Sequence, residues 1–239
     1  MMNMARVGAS VGCGGVIADE RWLAAVWPFV RSWLPGPPAV VLEIGCGPLG
    51  GFVPMLRSAG YQATGVDPEA PDTPWYHRVE FERYEVPKPA QAVVACTSLH
   101  HVADVGELLA LAGVALAAGG KLVVVEWARE RFDEDTARWC FQRLPAPSGD
   151  PGWLQLRCDG WRASGLSWDG YCRAWAEEEG LHAGQEIVRE LDARFDRQLL
   201  AYGPYFFPDL ADVSENEEQA AIDAGEIQAN RINYVCRRR

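Results

Sequence analysis

The sequence has no basic stripe. Its 22 Lys and Arg stand against 33 Asp and Glu, for a formal net charge of −11. Holding a phosphate backbone needs clustered cations, so no nucleic-acid partner is expected. The one basic run, Arg237-Arg238-Arg239, reads as a solvated tail. No two of the seven cysteines (13, 46, 96, 140, 158, 172 and 236) have CxxC spacing, which argues against a zinc site or a thioredoxin-like motif. An odd count in a chain of this size suggests reduced thiols. The four histidines, at 77, 100, 101 and 182, do not form a metal-ligand pattern, since adjacent pairs rarely ligate one ion together. No apolar run is long enough to span a bilayer. The start, Met1 to Arg6, leads into glycines and not a long apolar core, so no signal peptide and a cytoplasmic location are expected. No internal repeat or low-complexity segment is visible.

What is present is organised around Val40-Val41-Leu42-Glu43-Ile44-Gly45-Cys46-Gly47-Pro48-Leu49-Gly50-Gly51, an apolar run that stops at a cluster of glycines. About twenty residues on, Ala63-Thr64-Gly65-Val66 stops at Asp67. A strand ending in glycines lets a ligand approach the backbone closely. A carboxylate at the tip of the next strand can take a pair of ribose hydroxyls. This is the plan of a nucleoside-binding α/β domain.

Strands are expected at 39–44, 63–66, 75–81, 92–96 and 121–126, with helices at 51–59 and 106–116 between them. That rhythm implies a parallel doubly wound sheet. Before it, Ser10 to Gly15 reads as a mobile glycine-rich segment. An amphipathic helix follows over Arg21 to Leu34, with a kink at Pro28. This helix is either a lid over a ligand or a cover for one edge of the core. After Trp127 the rhythm fails. Residues 129–181 carry half of the ten tryptophans, together with Pro145, Pro147 and Pro151. So aromatic a stretch reads as a small helical subdomain over the carboxyl edge of the sheet. At least two of its rings are expected in a substrate pocket, the alternative being that they simply form the subdomain's core. Periodicity returns with a helix at 182–195, a strand at 195–205, a helix capped by Ser214-Glu215-Asn216-Glu217 and a last strand at 227–236. The expected organisation is an N-terminal cap over 1–34, a cofactor-binding core over 35–128 and 182–239, and a substrate-binding insertion over 129–181.

Gly45-Cys46-Gly47-Pro48-Leu49-Gly50 satisfies GxGxxG, and Asp67 stands where a dinucleotide fold places its ribose carboxylate. An NAD(P)-dependent oxidoreductase is therefore one reading. Glu43, two residues before the first glycine, counts against it: a carboxylate there repels a pyrophosphate and attracts a sulfonium or ammonium group. With Glu43 included, the motif resembles the class I S-adenosylmethionine-dependent methyltransferases. Leu42 to Gly47, Gly65-Val66-Asp67-Pro68, Thr97-Ser98-Leu99-His100-His101-Val102 and Ala118-Gly119-Gly120 to Glu126 occur in that family's order, and Ile222 to Cys236 is similar to its closing helix and strand.

The resemblance implies a Rossmann-like seven-stranded sheet with its last strand antiparallel, and S-adenosyl-L-methionine as cofactor. It also implies cofactor contacts from Glu43, Gly45, Cys46, Gly47, Asp67, Pro68, Glu82, Thr97 and Ser98. Asp67 would take the ribose hydroxyls and Glu43 the amino group, directly or through water. The sequence departs from the family pattern at Phe81-Glu82-Arg83, beside the adenine, and at Gln91, where the family usually has an acid. Methyl transfer needs alignment of the acceptor above all, and a base only if the nucleophile must lose a proton. His100, His101 and Glu126 are the candidates for that role. The acceptor is expected to be a small molecule methylated at O, N or C. A member of the fold that binds without catalysing remains a further alternative.

Overall fold

The computed structural model describes residues 13–146 and 150–239. Seven strands form one sheet in the order β3-β2-β1-β4-β5-β7-β6. They are β1 (Val40–Ile44), β2 (Gln62–Val66), β3 (Tyr76–His77), β4 (Ala90–Cys96), β5 (Leu116–Trp127), β6 (Phe195–Gly203) and β7 (Arg231–Arg238). The first five are parallel. β7 runs antiparallel between β5 and β6. The continuous apolar character of β1, β4 and β5 follows from their central position, where both faces are covered. Side chains alternate accordingly. Val41, Ala92, Val94, Val123 and Val125 pack under α1 (Cys13–Trp33) and α2 (Val53–Ser58). Leu42, Ile44, Val93, Ala95, Leu122 and Val124 pack under α3 (Val105–Ala115) and α7 (Gly184–Arg194).

Between β5 and α7 lie α4 (Glu134–Phe141), α5 (Trp153–Ser164) and α6 (Trp168–Glu179), and α8 (Glu215–Asp223) precedes β7. The insertion is thus helical, as its composition suggested. Most of its rings serve a core of their own. Trp168 is fully buried, its indole N–H donates to Phe132 O at 2.5 Å, and it meets Phe132, Phe141, Trp161 and Tyr171 edge-on or tilted. Ser214 and Glu217 form the expected reciprocal capping box at α8.

Several expectations change. α1 begins at Cys13, so Cys13 to Gly15 belong to a helix and only 10–12 of the supposedly mobile stretch lie outside the described residues. The helix also runs through Pro28. The third strand shrinks to two residues at the sheet edge. Phe81–Arg83 instead forms a 3-10 turn whose Phe81 is buried. The terminal arginines are exposed but not a free tail: Arg237 and Arg238 lie in β7, and Arg239 donates to the carbonyls of Ala193, Asp192 and Phe195. Gln91 has a structural role, accepting from Val40 N–H at 2.6 Å.

Candidate functional site

β1, β2 and β4 end on the same edge of the sheet, and the turns after them surround a cavity of about 600 Å³. After β1 the chain reverses through glycines because other groups crowd it. A Cβ at Gly45 would lie 2.2 Å from the Ser98 Cβ, and one at Gly51 would lie 2.3 Å from a Glu43 oxygen. Both residues hold φ values, +75° and +55°, that glycine adopts without steric cost. Ser98 locks the turn by donating its hydroxyl to Ile44 O at 3.1 Å. Thr97, the residue after β4, is itself held at φ +49° and donates its N–H to Val125 O.

Two carboxylates bracket this loop. Asp67 accepts from Gly47 N–H at 3.0 Å and from Glu69 N–H at 2.7 Å, so its orientation is set by backbone. Glu43 is buried, and both its oxygens accept from Phe52 N–H, at 3.0 and 2.9 Å. Burial pushes its pKa up to about 8 and the charge on Asp67 adds to that, while the N–H groups of Phe52 and Val53 act in the opposite direction. A carboxylate that costly to ionise, lining a cavity, suits a cationic partner.

Ten of the twelve residues singled out from the sequence line the cavity: Glu43, Gly45, Cys46, Gly47, Asp67, Pro68, Glu82, Thr97, Ser98 and His101. Cys46 is buried, and burial raises its thiol pKa first, with Glu43 and Asp67 adding to the shift, so it lines the wall as a neutral group. Glu82 is exposed at the rim, on the 3-10 turn. His100 and Glu126 do not line it. They form a buried pair, His100 Nδ1 to Glu126 Oε1 at 2.5 Å, and Glu126 also accepts from the N–H groups of Leu99 and Trp127, both at 2.8 Å. Burial would raise the Glu126 pKa, but the imidazole and these two N–H groups outweigh it and hold the carboxyl below the usual range. The His101 ring lies tilted against that of His100, with centroids 4.1 Å apart.

Of the two readings offered for the N-terminal helix, the lid fits the cavity walls, although Asp19, ahead of the expected helix start, is not among the residues singled out from the sequence. Asp19, Trp22 and Leu23 close one side of the cavity, and Trp22 donates its indole N–H to Cys96 Sγ at 3.4 Å. The same wall borders a smaller chamber of about 120 Å³ lined by Ala18, Asp19, Trp22, Thr97, Trp153, Tyr205, Pro208 and Asp209. Of the insertion's rings only Trp153 reaches either cavity among the described residues. Trp161 and Trp168 pack on one another, and Trp175 packs on Trp127. The described residues contain no cluster able to hold a metal ion and no helix long and apolar enough to cross a membrane.

Comparison with known proteins points one way. A family model described as a methyltransferase domain matches residues 20–158. No curated protein matches significantly. Among solved structures, an S-adenosylmethionine-dependent methyltransferase from Mesorhizobium loti is 19% identical, with 90% of this chain and 98% of that one covered and a TM-score of 0.53. A geranyl diphosphate C-methyltransferase from Streptomyces coelicolor A3(2), determined with Mg2+, geranyl-S-thiolodiphosphate and S-adenosyl-L-homocysteine, is 15% identical over 90% of this chain and 76% of that one, at 0.52. A protein from Pyrococcus horikoshii OT3 is 10% identical over 96% of this chain and 94% of that one, at 0.58. At these identities the likeness is one of fold.

Proposed function

Because this chain belongs to the methyltransferase domain family, we propose that it transfers a methyl group from S-adenosylmethionine to a small-molecule acceptor. The observation that carries the reading is the Glu43 carboxylate, buried behind the glycine loop and lining the cavity. An ammonium or sulfonium beside it would offset the cost of ionising it in a poorly solvated site, whereas a pyrophosphate would add to that cost.

The residues present fit this cofactor. The cavity volume lies in the range of ligand sites. Asp67, held by two backbone N–H groups, keeps acceptor capacity for a hydroxyl pair. Glu43 would take the amino group, the loop at Gly45 to Gly47 would allow close approach, and Thr97 and Ser98 would flank the methionyl end. Pro68 and Glu82 would border the nucleoside. When bound, the cofactor supplies an electrophilic methyl group on a sulfonium.

The protein's part is to bind, orient and exclude water. Of the three acid–base candidates His101 faces the cavity and is assigned to the acceptor side. His100 and Glu126 are assigned a positioning role. Their pair ties the turn at Leu99 to the end of β5 and so sets where Thr97, Ser98 and His101 stand.

Calorimetric titration with S-adenosylmethionine, S-adenosylhomocysteine and NAD+ tests the reading. Binding of the first two and not the third is expected. Binding of NAD+ alone would overturn the assignment in favour of an oxidoreductase. Turnover is then followed with a radiolabelled methyl donor against a panel of small acceptors.

A further inference from the structure

The small chamber beside the main cavity shares three residues with it, Asp19, Trp22 and Thr97. A ligand there would lie next to whatever fills the larger space. Its other walls have a consistent chemistry. Trp153 and Tyr205 are aromatic, and Trp22 meets Tyr205 edge-on with ring centroids 5.0 Å apart. Two carboxylates, Asp19 and Asp209, complete the lining. They come from remote parts of the chain, and only the packing of α1 on the 3-10 turn at Phe207–Asp209 brings them together.

We propose that this chamber is part of the acceptor subsite and binds the cationic head group of an ammonium-bearing acceptor, beside the rings of Trp22, Trp153 and Tyr205 and the carboxylates of Asp19 and Asp209, while the atom that takes the methyl group, which needs a lone pair the ammonium lacks, lies elsewhere on the acceptor, in the main cavity. The inference rests on the methyl-transfer reading for its meaning, since it names the substrate class of that same site. Aromatic faces attract ammonium groups through their quadrupole, more strongly when water is excluded. Asp209 is the more buried of the two and Asp19 stands at the solvent side, so both carboxylates attract a cation that enters the chamber. Burial raises the Asp209 pKa to about 6, with Asp19 adding to the shift, while a hydrogen bond from Trp153 and the charge of Arg21 oppose it, so a cation beside Asp209 would favour its ionised form. Arg21 does not fill the space. Its guanidinium is committed to the carbonyls of Pro208 and Val213, at 3.0 and 2.9 Å. At about 120 Å³ the chamber admits a methylated ammonium head and little more, so the rest of an acceptor would extend into the main cavity.

The test uses a charged probe and its neutral shape-mate, choline and 3,3-dimethylbutan-1-ol, titrated into full-length protein with and without saturating S-adenosylhomocysteine. Trp22 and Trp153 provide a fluorescence signal alongside calorimetry. Choline is expected to bind at least ten times more tightly than the alcohol. Asp209→Asn is expected to reduce that preference to less than threefold and to leave S-adenosylhomocysteine affinity unchanged. Trp153→Phe, which keeps a ring but removes the indole N–H, is expected to weaken choline severalfold. Equal binding of the two probes, or a preference that survives Asp209→Asn, would overturn the proposal. If S-adenosylhomocysteine does not bind while choline does, the methyl-transfer reading fails and the cation site stands. If S-adenosylhomocysteine binds and choline does not, only the cation site falls.

Discussion

Cofactor affinity should depend steeply on pH, and Glu43 should be the reason. In the free protein its carboxyl titrates at about 8, because burial disfavours the charged form more than the N–H groups of Phe52 and Val53 favour it. A bound ammonium needs the carboxylate, so it lowers this pKa and binding releases a proton. The sign follows: affinity is full above pH 8 and is lost as pH falls. If the bound-state pKa lies below 5.5, the Kd for S-adenosylhomocysteine should rise about 75-fold between pH 7.5 and 5.5, equivalent to about 2.6 kcal/mol. Near pH 7 roughly 0.9 proton should be released per ligand, read from titrations in two buffers of different ionisation enthalpy. The comparison with Glu43→Gln decides whether this carboxyl is the cause. That variant should bind more weakly at pH 7.5 and show a flat profile below it. A wild-type Kd that moves less than threefold, or a slope retained in Glu43→Gln, would refute the argument.

Asp67→Ala should weaken S-adenosylhomocysteine binding by about 1.5–3 kcal/mol, the range for hydrogen bonds to a charged group, and an unchanged Kd by calorimetry would remove Asp67 from the site. Gly45→Ala should cost more than the ~1–2 kcal/mol of left-handed strain alone, because the new Cβ collides with Ser98; chemical denaturation measures it. Glu126→Gln should destabilise by about 3–5 kcal/mol as the buried partner of His100 is lost, whereas His101→Ala, on an exposed residue, should shift Tm little. With a lowered folded pKa, the Glu126 contribution is present above the ordinary carboxylate range and lost as pH falls through the folded value, so the Tm difference between wild type and Glu126→Gln should shrink in acid.

Local physics was legible in the sequence wherever one element decided its own form. The β1 strand and the glycines after it, the tip of β2 at Asp67 and the capping box at Ser214 could all be read without neighbours. What escaped depends on tertiary contact. Nothing in Asp19 marks it as a wall of a cavity; it becomes one because α1 starts eight residues before the Arg21 expected from periodicity, and Trp22 could be placed on that helix but not assigned to lid or edge without its neighbours. His100 and Glu126 have the right chemistry for catalysis and sit at strand ends, but Glu126 spends its oxygens on His100 and on two backbone N–H groups, and His100 Nδ1 is committed to Glu126. The insertion's rings looked like a binding surface by composition, and composition cannot separate a pocket from a core.

The placement of β7 bears on how the chain reaches this structure. β5 is paired on one side by β4, but its other edge must wait for β7, which follows about a hundred residues later, after the whole helical insertion and β6. Until then β5 presents Leu122, Val123, Val124 and Val125 on an open edge, the kind of surface on which chains pair wrongly with one another. Formation of the sheet should therefore be slow and late, with closure of the β5–β7 seam as its limiting event. A substitution that weakens that seam, such as Val235→Asp, should show itself first as lost yield of soluble protein during expression, before any defect in cofactor binding can be measured.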